Sequence, residues 1–453
     1  MNKVSLETIV SLAKRRGFVF PSSEIYGGLA GFYDYGPYGS QMVKNIKDLW
    51  WKQFVEKTPN IHGLDSAIIQ NPKLWEASGH VAGFNDPLVD CKNCQARHRA
   101  DHLAGIDSTD LAKLDELVKD KPCPKCGQKG HFTSVRTYNM MMKTFVGPVE
   151  DSDSIAYLRP ETAGPIFTNF ALVQETTRAK VPFGIAQIGK AFRNEISPRD
   201  FIFRVRELEQ MEMQYFIDPK NEVEEYENLR QFNWNFLTQN MGFDESNLQW
   251  HEHTEDERAH YARAAHDIQF DFPFGFKELW GTHNRSDFDL SAHSEKSGKK
   301  LDYFDPETNQ RYTPYVMESS VGVGRLFLAA LTNAYAEEEV EGESRVVLKL
   351  TPEIAPVNVA ILPLMKKPDL IAKAKEVYQM LNKATDLRLE YDEAGSIGKR
   401  YRRQDEIGTP KAITIDFETI EAEPDQAKVT IRDRDTMKQE RVKITDLIER
   451  IAL

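Results

Sequence analysis

Leu6, Ile9, Val10 and Ala13 recur at helical spacing ahead of Gly17, which predicts a short amphipathic helix over residues 4–16. The period then breaks. Residues 18–40 are rich in Gly, Tyr and Pro, a turn-forming segment whose aromatics must pack elsewhere. A helix is predicted over 41–56, stopped before Pro59, with Trp50, Trp51 and Phe54 as a large apolar surface. From 85 to 137 the composition turns polar, basic and Cys-bearing, which predicts an insertion with one short helix at 110–119. The clearest helix is 220–241. Pro219 precedes it, Glu222, Glu224 and Glu225 fill its first turns, Leu229, Phe232, Phe236 and Leu237 face inward, and Gly242 ends it. The acidic run 336–343 predicts a solvated loop or helix end.

After Thr351-Pro352 the pattern becomes a regular strand–helix alternation. Residues 357–362 form a buried strand, and 368–384 a helix with Leu370, Ala374, Val377, Tyr378 and Leu381 on one face. Residues 387–391 alternate as a strand, and 396–407 form a helix capped by Gly408. Further strands lie at 413–417, around Val429 and Ile431, and around Val442 and Ile444, with a last helix near Thr445. The expectation is two units, 1–350 with the insertion 85–137 and an α/β domain with a mixed sheet at 351–453.

Composition narrows the class. The 453 residues carry 58 basic and 70 acidic side chains, a net charge of −12, which argues against a polybasic binder but not against a local basic patch. No apolar run approaches membrane-spanning length, and the first residues have no apolar secretory core. Four cysteines in so long a chain are not a disulfide framework. A cytoplasmic, multidomain protein without a membrane partner is expected.

The densest chemistry lies at 192–212, Phe-Arg-Asn-Glu, a loop, then Phe-Arg-Val-Arg-Glu-Leu-Glu-Gln-Met-Glu. On paired strands, alternation sends Arg193 with Glu195, and Arg204 with Arg206, to common faces. Guanidinium forks at this density suit phosphate or carboxylate recognition, although an exposed ion-pair ladder has the same pattern. Residues 318–328 read Glu-Ser-Ser-Val-Gly-Val-Gly-Arg-Leu-Phe-Leu. There Gly322 and Gly324 permit close backbone approach, and Arg325 opens an apolar helix.

These two segments resemble motifs 2 and 3 of the class II aminoacyl-tRNA synthetases, and 31–54 resembles their dimer-forming motif 1. Leu158-Arg159-Pro160-Glu161-Thr162-Ala163, Phe192 to Arg199, Glu209 to Phe216 and Glu318-Ser319-Ser320 are similar to the homodimeric glycyl-tRNA synthetases in particular. Leu208 stands where that family usually has Phe, and Gly164-Pro165 where Gln-Gly is common. The resemblance implies an α+β fold, with an antiparallel-sheet catalytic domain carrying the Cys-rich insertion and a C-terminal α/β anticodon-binding domain. It implies a homodimer that activates glycine with ATP and transfers it to tRNA(Gly). For ATP and its Mg²⁺ it implies Arg193 at the α-phosphate and Arg325 at the γ-phosphate. Glu195 would meet the adenine amino group, Phe203 would stack on the ring, and Glu278 is a candidate Mg²⁺ ligand; Asn194, Arg204, Arg206, Leu279, Gly322 and Gly324 complete the ATP set. For glycine it implies Glu161, Glu212 and Glu318 as ammonium acceptors, with Ser320, Arg285 and Arg99 as further contacts. Two alternatives remain at this point: a prolyl- or threonyl-type synthetase, and a non-catalytic nucleic-acid-binding relative.

Cys91-x-x-Cys94 and Cys123-x-x-Cys126 use every cysteine in the chain and have the spacing of a structural Zn²⁺ site, with His98, His102 and His131 as nearby alternative ligands. In the last domain Lys399, Arg400, Arg402 and Arg403 crowd one helix, a candidate contact with tRNA phosphates, and loop 197–202 could reach the acceptor end.

Overall fold

The computed structural model describes residues 3–451, apart from 107, 109, 260 and 341. Its centre is a seven-stranded sheet: β1 (Ile61–Gly63), β2 (Phe183–Phe192), β3 (Glu207–Ile217), β4 (Leu248–Glu252), β5 (Ala264–Phe272), β6 (Gly275–Ser286) and β7 (Tyr315–Gly322). The order is β4-β5-β6-β7-β3-β2-β1, antiparallel except between β1 and β2.

Alternation gives the sheet two different faces. Ala186, Met211, Met213, Ile268, Trp280 and Met317 turn into a large core with Trp50, Phe54, Phe236 and Phe327. The other face carries Gln187, Glu212, Gln214, Glu318 and Ser320. At one end of it the helices Ala163–Thr177 and Phe288–Ser297 pack Phe167, Phe170 and Leu290 on Phe183, Ile185 and Phe216. A polar row on a half-covered face leaves a cleft there.

Three expectations are corrected. The aromatic helix starts at Pro37 rather than 41, because Pro at the first helical position fits the turn that the Gly-rich segment already makes. It runs to Trp51, a wider turn continues to Glu56, and Trp50 stacks on Phe54 with centroids 4.7 Å apart. The acidic run is not a loop: Tyr335–Val340 pairs with Glu343–Leu348 in a hairpin. Glu337 and Glu339 face solvent while Glu338 turns inward to the buried Arg345 at 2.6 Å, so charge concealed a strand alternation. The strands around 193–206 are also shorter than predicted. β2 ends at Phe192 and β3 begins at Glu207, so Arg193, Glu195, Arg204 and Arg206 lie on the connecting loop.

The C-terminal sheet is mixed, as expected. Leu389–Tyr391, Val359–Pro363 and Lys411–Ile415 run parallel, and Lys428–Asp433 and Gln439–Lys443 add antiparallel. The Pro368–Ala384 helix buries Leu370, Ala374, Val377 and Leu381 on this sheet, with Tyr378 packed at the margin. The insertion has its own three-stranded sheet (Arg97–Arg99, Asn85–Asp90, Arg136–Asn139) and its own small core of Val89, Ala100, Leu114, Val118 and Phe132. Its predicted helix is Leu111–Val118, capped by the Asp110 carboxylate.

Candidate active site

Strand register assembles the site. Glu212 on β3 stands opposite Ser320 on β7, which stands opposite Gly281 on β6, which stands opposite Asp267 on β5. Two residues along, Gln214, Glu318 and His283 form the neighbouring row. Glu161 joins from the turn before the Ala163–Thr177 helix, and all these positions except Gln214 and Asp267 line one cleft with Tyr261 and Arg285.

Glu318 is held through both oxygens, with a lone pair left on the oxygen that faces His283. One oxygen faces His283 Nδ1 at 2.6 Å; the other accepts from Arg285 at 2.7 Å and from Gln214 Nε2 at 2.8 Å. Arg285 forks onto Asp289 at 2.7 and 2.9 Å, and its guanidinium lies 3.8 Å from the Tyr261 ring centre. Burial works against the Glu318 charge, but Arg285 and then His283 win and hold its carboxyl well below the usual range. For Glu161, at 3.3 Å from His80, burial is likewise outweighed by His80, and the carboxyl falls to about 2. Glu212 goes the other way. It accepts from Thr162 Oγ1 and Gln214 Nε2 but has no ion-pair partner among the described residues. Burial, then the Glu318 and Glu161 charges, push its carboxyl well above the normal range. Three carboxylates thus converge with one of them short of positive charge, an arrangement that accepts a small cation.

The same cleft continues past Ser320 to an arginine-rich half lined by Arg193, Glu195, Phe203, Arg204, Glu278, Gly322, Gly324 and Arg325. Arg193 Nε donates to Pro160 O at 3.0 Å, and Glu195 pairs with Arg204 at 3.5 Å. Arg325, in the first turn of the Val323–Ala334 helix, lies 4.4 Å from the Phe203 ring centre and 3.0 Å from Glu278. A Cβ on Gly322 would meet nothing nearer than Arg325 Cγ at 3.8 Å, so the space before that helix is open to a ligand. Leu208, where Phe is common, lines the cleft too. A side chain at Gly164 would meet Leu74 at 2.9 Å and Trp75 at 3.0 Å, which accounts for glycine there.

Four of the sequence-predicted residues lie outside the cleft lining. Leu279 is buried in the large core. Arg206 is tied to the backbone oxygens of Glu195 and Ala30. Asn194 is held by its N–H to Met140 O. Arg99 is spent on Asp86 at 2.8 Å and on Asp101. Sequence reasoning missed His283, Gln214, Tyr261 and His80. The signal for two of them was present: 283 shares the strand face of Arg285, and 214 that of Glu212.

In the insertion the four thiols all lie within 4.8 Å of one another, with Cys91–Cys126 and Cys94–Cys123 sulfurs 3.7 Å apart. A tetrahedron with Zn–S bonds of about 2.3 Å has edges of about 3.8 Å, so the donor set and its spacing fit Zn²⁺. Asn93 donates to Cys126 Sγ at 3.5 Å, lowering that thiol's pKa towards the ligating thiolate. The histidines stand aside: His98 Nε2 is 3.4 Å from Cys123 Sγ, His102 faces Arg199, and none of the three belongs to the four-residue cluster.

The basic helix Ile397–Ile407 corrects one expectation. Arg400 is 1% exposed and donates to the backbone oxygens of Pro363, Glu393 and Gly395, so it ties the domain together instead of facing solvent. Arg403 pairs with Asp392. Lys399 is exposed, and among the described residues Arg402 has one ion-pair contact, a 3.7 Å approach to Glu343. No helix among the described residues is long and apolar enough to cross a membrane.

Residues 148–334 match the tRNA synthetase class II core domain (G, H, P, S and T), and 358–452 match the anticodon binding domain. A solved Giardia lamblia prolyl-tRNA synthetase, in complex with prolyl-adenylate, superposes on 99% of this chain and 76% of its own with a TM-score of 0.67. At 16% identity that is a likeness of fold. Glycine–tRNA ligases are far nearer in sequence. The one from Clostridium acetobutylicum is 51% identical over 98% of this chain and 97% of its own, and that of Geobacillus kaustophilus is 52% identical over the same shares. The Caldanaerobacter subterraneus subsp. tengcongensis enzyme is 53% identical over 98% of this chain and 96% of its own. With its core and anticodon-binding domains both matched and whole-length identity above one half, the chain belongs to the glycine–tRNA ligase family of class II synthetases.

Proposed function

We propose that the chain is a glycine–tRNA ligase that forms glycyl-adenylate from glycine and ATP and passes glycine to the 3′ end of tRNA(Gly). The observation that carries this reading is one cleft with two halves, three convergent carboxylates at one end and an arginine set at the other. The glycine carboxylate attacks the α-phosphorus. The bond from that phosphorus to the bridging oxygen breaks, and pyrophosphate leaves. A terminal ribose hydroxyl of the tRNA then attacks the carbonyl carbon and displaces AMP. The attacking carboxylate is already ionised, so the first step needs no general base. It needs fixed positive charge where the phosphoryl oxygens gain electron density.

In this reading Arg193 meets the α-phosphate and Arg325 the γ-phosphate. Glu195 and Phe203 take the adenine and Arg204, Gly322 and Gly324 line the nucleotide half, while Asn194, Arg206 and Leu279 support it from outside the lining. The half-exposed Glu278 is the protein carboxylate that would hold Mg²⁺, which would supply positive charge to offset that of the phosphates. Glu161, Glu212 and Glu318 receive the ammonium, with Arg285 and Ser320 around them, while Arg99, paired with Asp86 and Asp101, stays outside the lining. Cys91, Cys94, Cys123 and Cys126 hold Zn²⁺. The insertion 85–137 belongs to a catalytic unit at 1–350, and 351–453 bind the anticodon end of the tRNA, with Lys399 and Arg402 on phosphates and loop 197–202 towards the acceptor end. The proposed assembly is a homodimer, on the resemblance of 31–54 to the dimer-forming motif. The proposed location is the cytoplasm, where tRNA and ATP occur together.

Incubation with labelled glycine, ATP–Mg²⁺ and tRNA(Gly) tests the whole reaction. Acid-precipitable, base-labile label is expected, and label that needs no ATP, or none at all, would refute the reading. Sedimentation of the full chain tests the dimer.

A further inference from the structure

We propose that His283 is a positioning residue of the glycine site, seated in the gap that Gly281 leaves in the sheet and clamping the Glu318 carboxylate so that it presents an ionised acceptor to the substrate's amino group. The proposal rests on the glycine reading of the three-carboxylate cleft.

Register makes the gap. The row Glu212, Ser320, Gly281, Asp267 has a side chain at every position but one. The His283 ring leans back over that vacancy. A Cβ built on Gly281 would come 3.0 Å from His283 Cε1 and 3.2 Å from Nε2, tighter than the ring can tolerate without moving. In that seat His283 Nδ1 is 2.6 Å from Glu318, and Nε2 is 3.7 Å from Asp267, whose other oxygen is 2.7 Å from His253 Nε2. Each ring nitrogen therefore faces a carboxylate. A carboxylate only accepts, so Nδ1, within hydrogen-bond reach of Glu318, carries a proton, and the ion-pair approach of Asp267 to Nε2 favours the imidazolium.

The charged neighbours agree. Asp267 faces the ring from β5, Glu318 from β7, and His253 lies behind Asp267. Arg285 stands two residues along the same strand, while Glu161, Glu212 and Tyr261 line the cleft beside it. Burial works against the imidazolium charge, but Asp267 and Glu318 outweigh it and raise its pKa to about 10. Asp267 stands behind the imidazole as an ion-pair neighbour at 3.7 Å, and the imidazole holds the Glu318 carboxylate at 2.6 Å. Arg285 alone would hold one Glu318 oxygen; His283 fixes the other, and with it the carboxylate plane.

The test is glycine-dependent ATP–pyrophosphate exchange by the full-length enzyme, with KM measured for glycine and for ATP across pH. His283→Gln keeps one donor and removes the charge. It should raise the glycine KM about 10-fold or more, the worth of a charged hydrogen bond, and leave the ATP KM unchanged. Asp267→Asn should add a limb in which glycine kcat/KM falls at a lower pH than in wild type, because His283 keeps Glu318 but loses its second carboxylate and with it part of what holds its proton. Gly281→Ala, which crowds the ring, should reproduce the selective glycine KM increase. In the His283→Gln background, Asp267→Asn should change glycine KM by less than about twofold, since it acts through the histidine. A folded His283→Gln enzyme with wild-type glycine KM, or with both KM values raised alike, would overturn the proposal. If that variant does not fold, Asp267→Asn without the new limb overturns it. Glu318→Gln separates the two failures: unchanged glycine KM there would remove the glycine reading itself.

Discussion

Glu212→Gln should make the enzyme more stable and worse at binding glycine. Glu212 is 2% exposed, takes hydrogen bonds from Thr162 and Gln214, and is paired with no cation among the described residues. Its carboxyl is held well above the usual range by burial and by Glu318 and Glu161, so the folded state binds a proton that the unfolded state releases. Stability from this group is therefore full below the unfolded value and declines as pH rises, by about 1.4 kcal/mol per pH unit until the folded value is reached. Glutamine keeps both hydrogen bonds, because the Thr162 hydroxyl can accept as well as donate, and it never ionises. The melting temperature of the variant should exceed that of wild type by a margin that grows as pH rises above the usual carboxylate range. A substrate ammonium favours the ionised carboxylate, so glycine binding by wild type should expel a proton and tighten with pH. Removing that charged hydrogen bond, worth about 1.5–3 kcal/mol, should raise the glycine KM about 10- to 150-fold. The assays are thermal unfolding across pH, exchange kinetics, and calorimetry in two buffers of different ionisation enthalpy. A variant less stable than wild type at alkaline pH, or one with unchanged glycine KM, would refute the reasoning.

Arg193→Ala should slow adenylate formation about 100-fold or more, the loss expected for one donor to a developing oxyanion; activation within a few-fold of wild type would remove it from the α-phosphate. Elemental analysis should find about one zinc per chain, and Cys123→Ser should release it and open 85–137 to protease, whereas a metal-free yet fully protected insertion would refute the site. Lys399→Gln with Arg402→Gln should flatten the salt dependence of tRNA binding by about 0.7 log unit for each phosphate that is no longer neutralised, and an unchanged slope would move the tRNA path elsewhere. Arg400→Gln should instead destabilise the fold by about 2 kcal/mol or more on denaturant unfolding, since three backbone acceptors, that of Pro363 buried, lose a charged donor.

The contrast between Arg400 and Lys399 illustrates where sequence stopped. Both sit on a helix whose boundaries were legible from Ser396 and Gly408. Which basic residue faces inward depends on carbonyl oxygens from Pro363, Glu393 and Gly395, and no local pattern encodes those. The C-terminal sheet was readable because its strands alternate cleanly and its helices carry one apolar face. The hairpin at 335–348 was not, because its inward glutamate pairs with a buried arginine and so imitates a solvated run. At the site, the motifs located Glu161, Glu212, Glu318, Arg193 and Arg325. The cross-strand register that adds His283, Gln214 and the vacancy at Gly281 is a long-range property, set by which strands are neighbours.

The central claim is that a cleft of three carboxylates selects glycine for activation. ATP–pyrophosphate exchange by the full-length protein, run in parallel with glycine, alanine, serine and proline, tests it most directly. Exchange should be strongly stimulated by glycine and barely by the other three, because the reading assigns selection to steric exclusion of any Cα substituent, which discriminates more sharply than the ~1–3 kcal/mol that an apolar pocket gains per methylene. Equal stimulation by alanine, or stimulation by proline in place of glycine, would contradict the account.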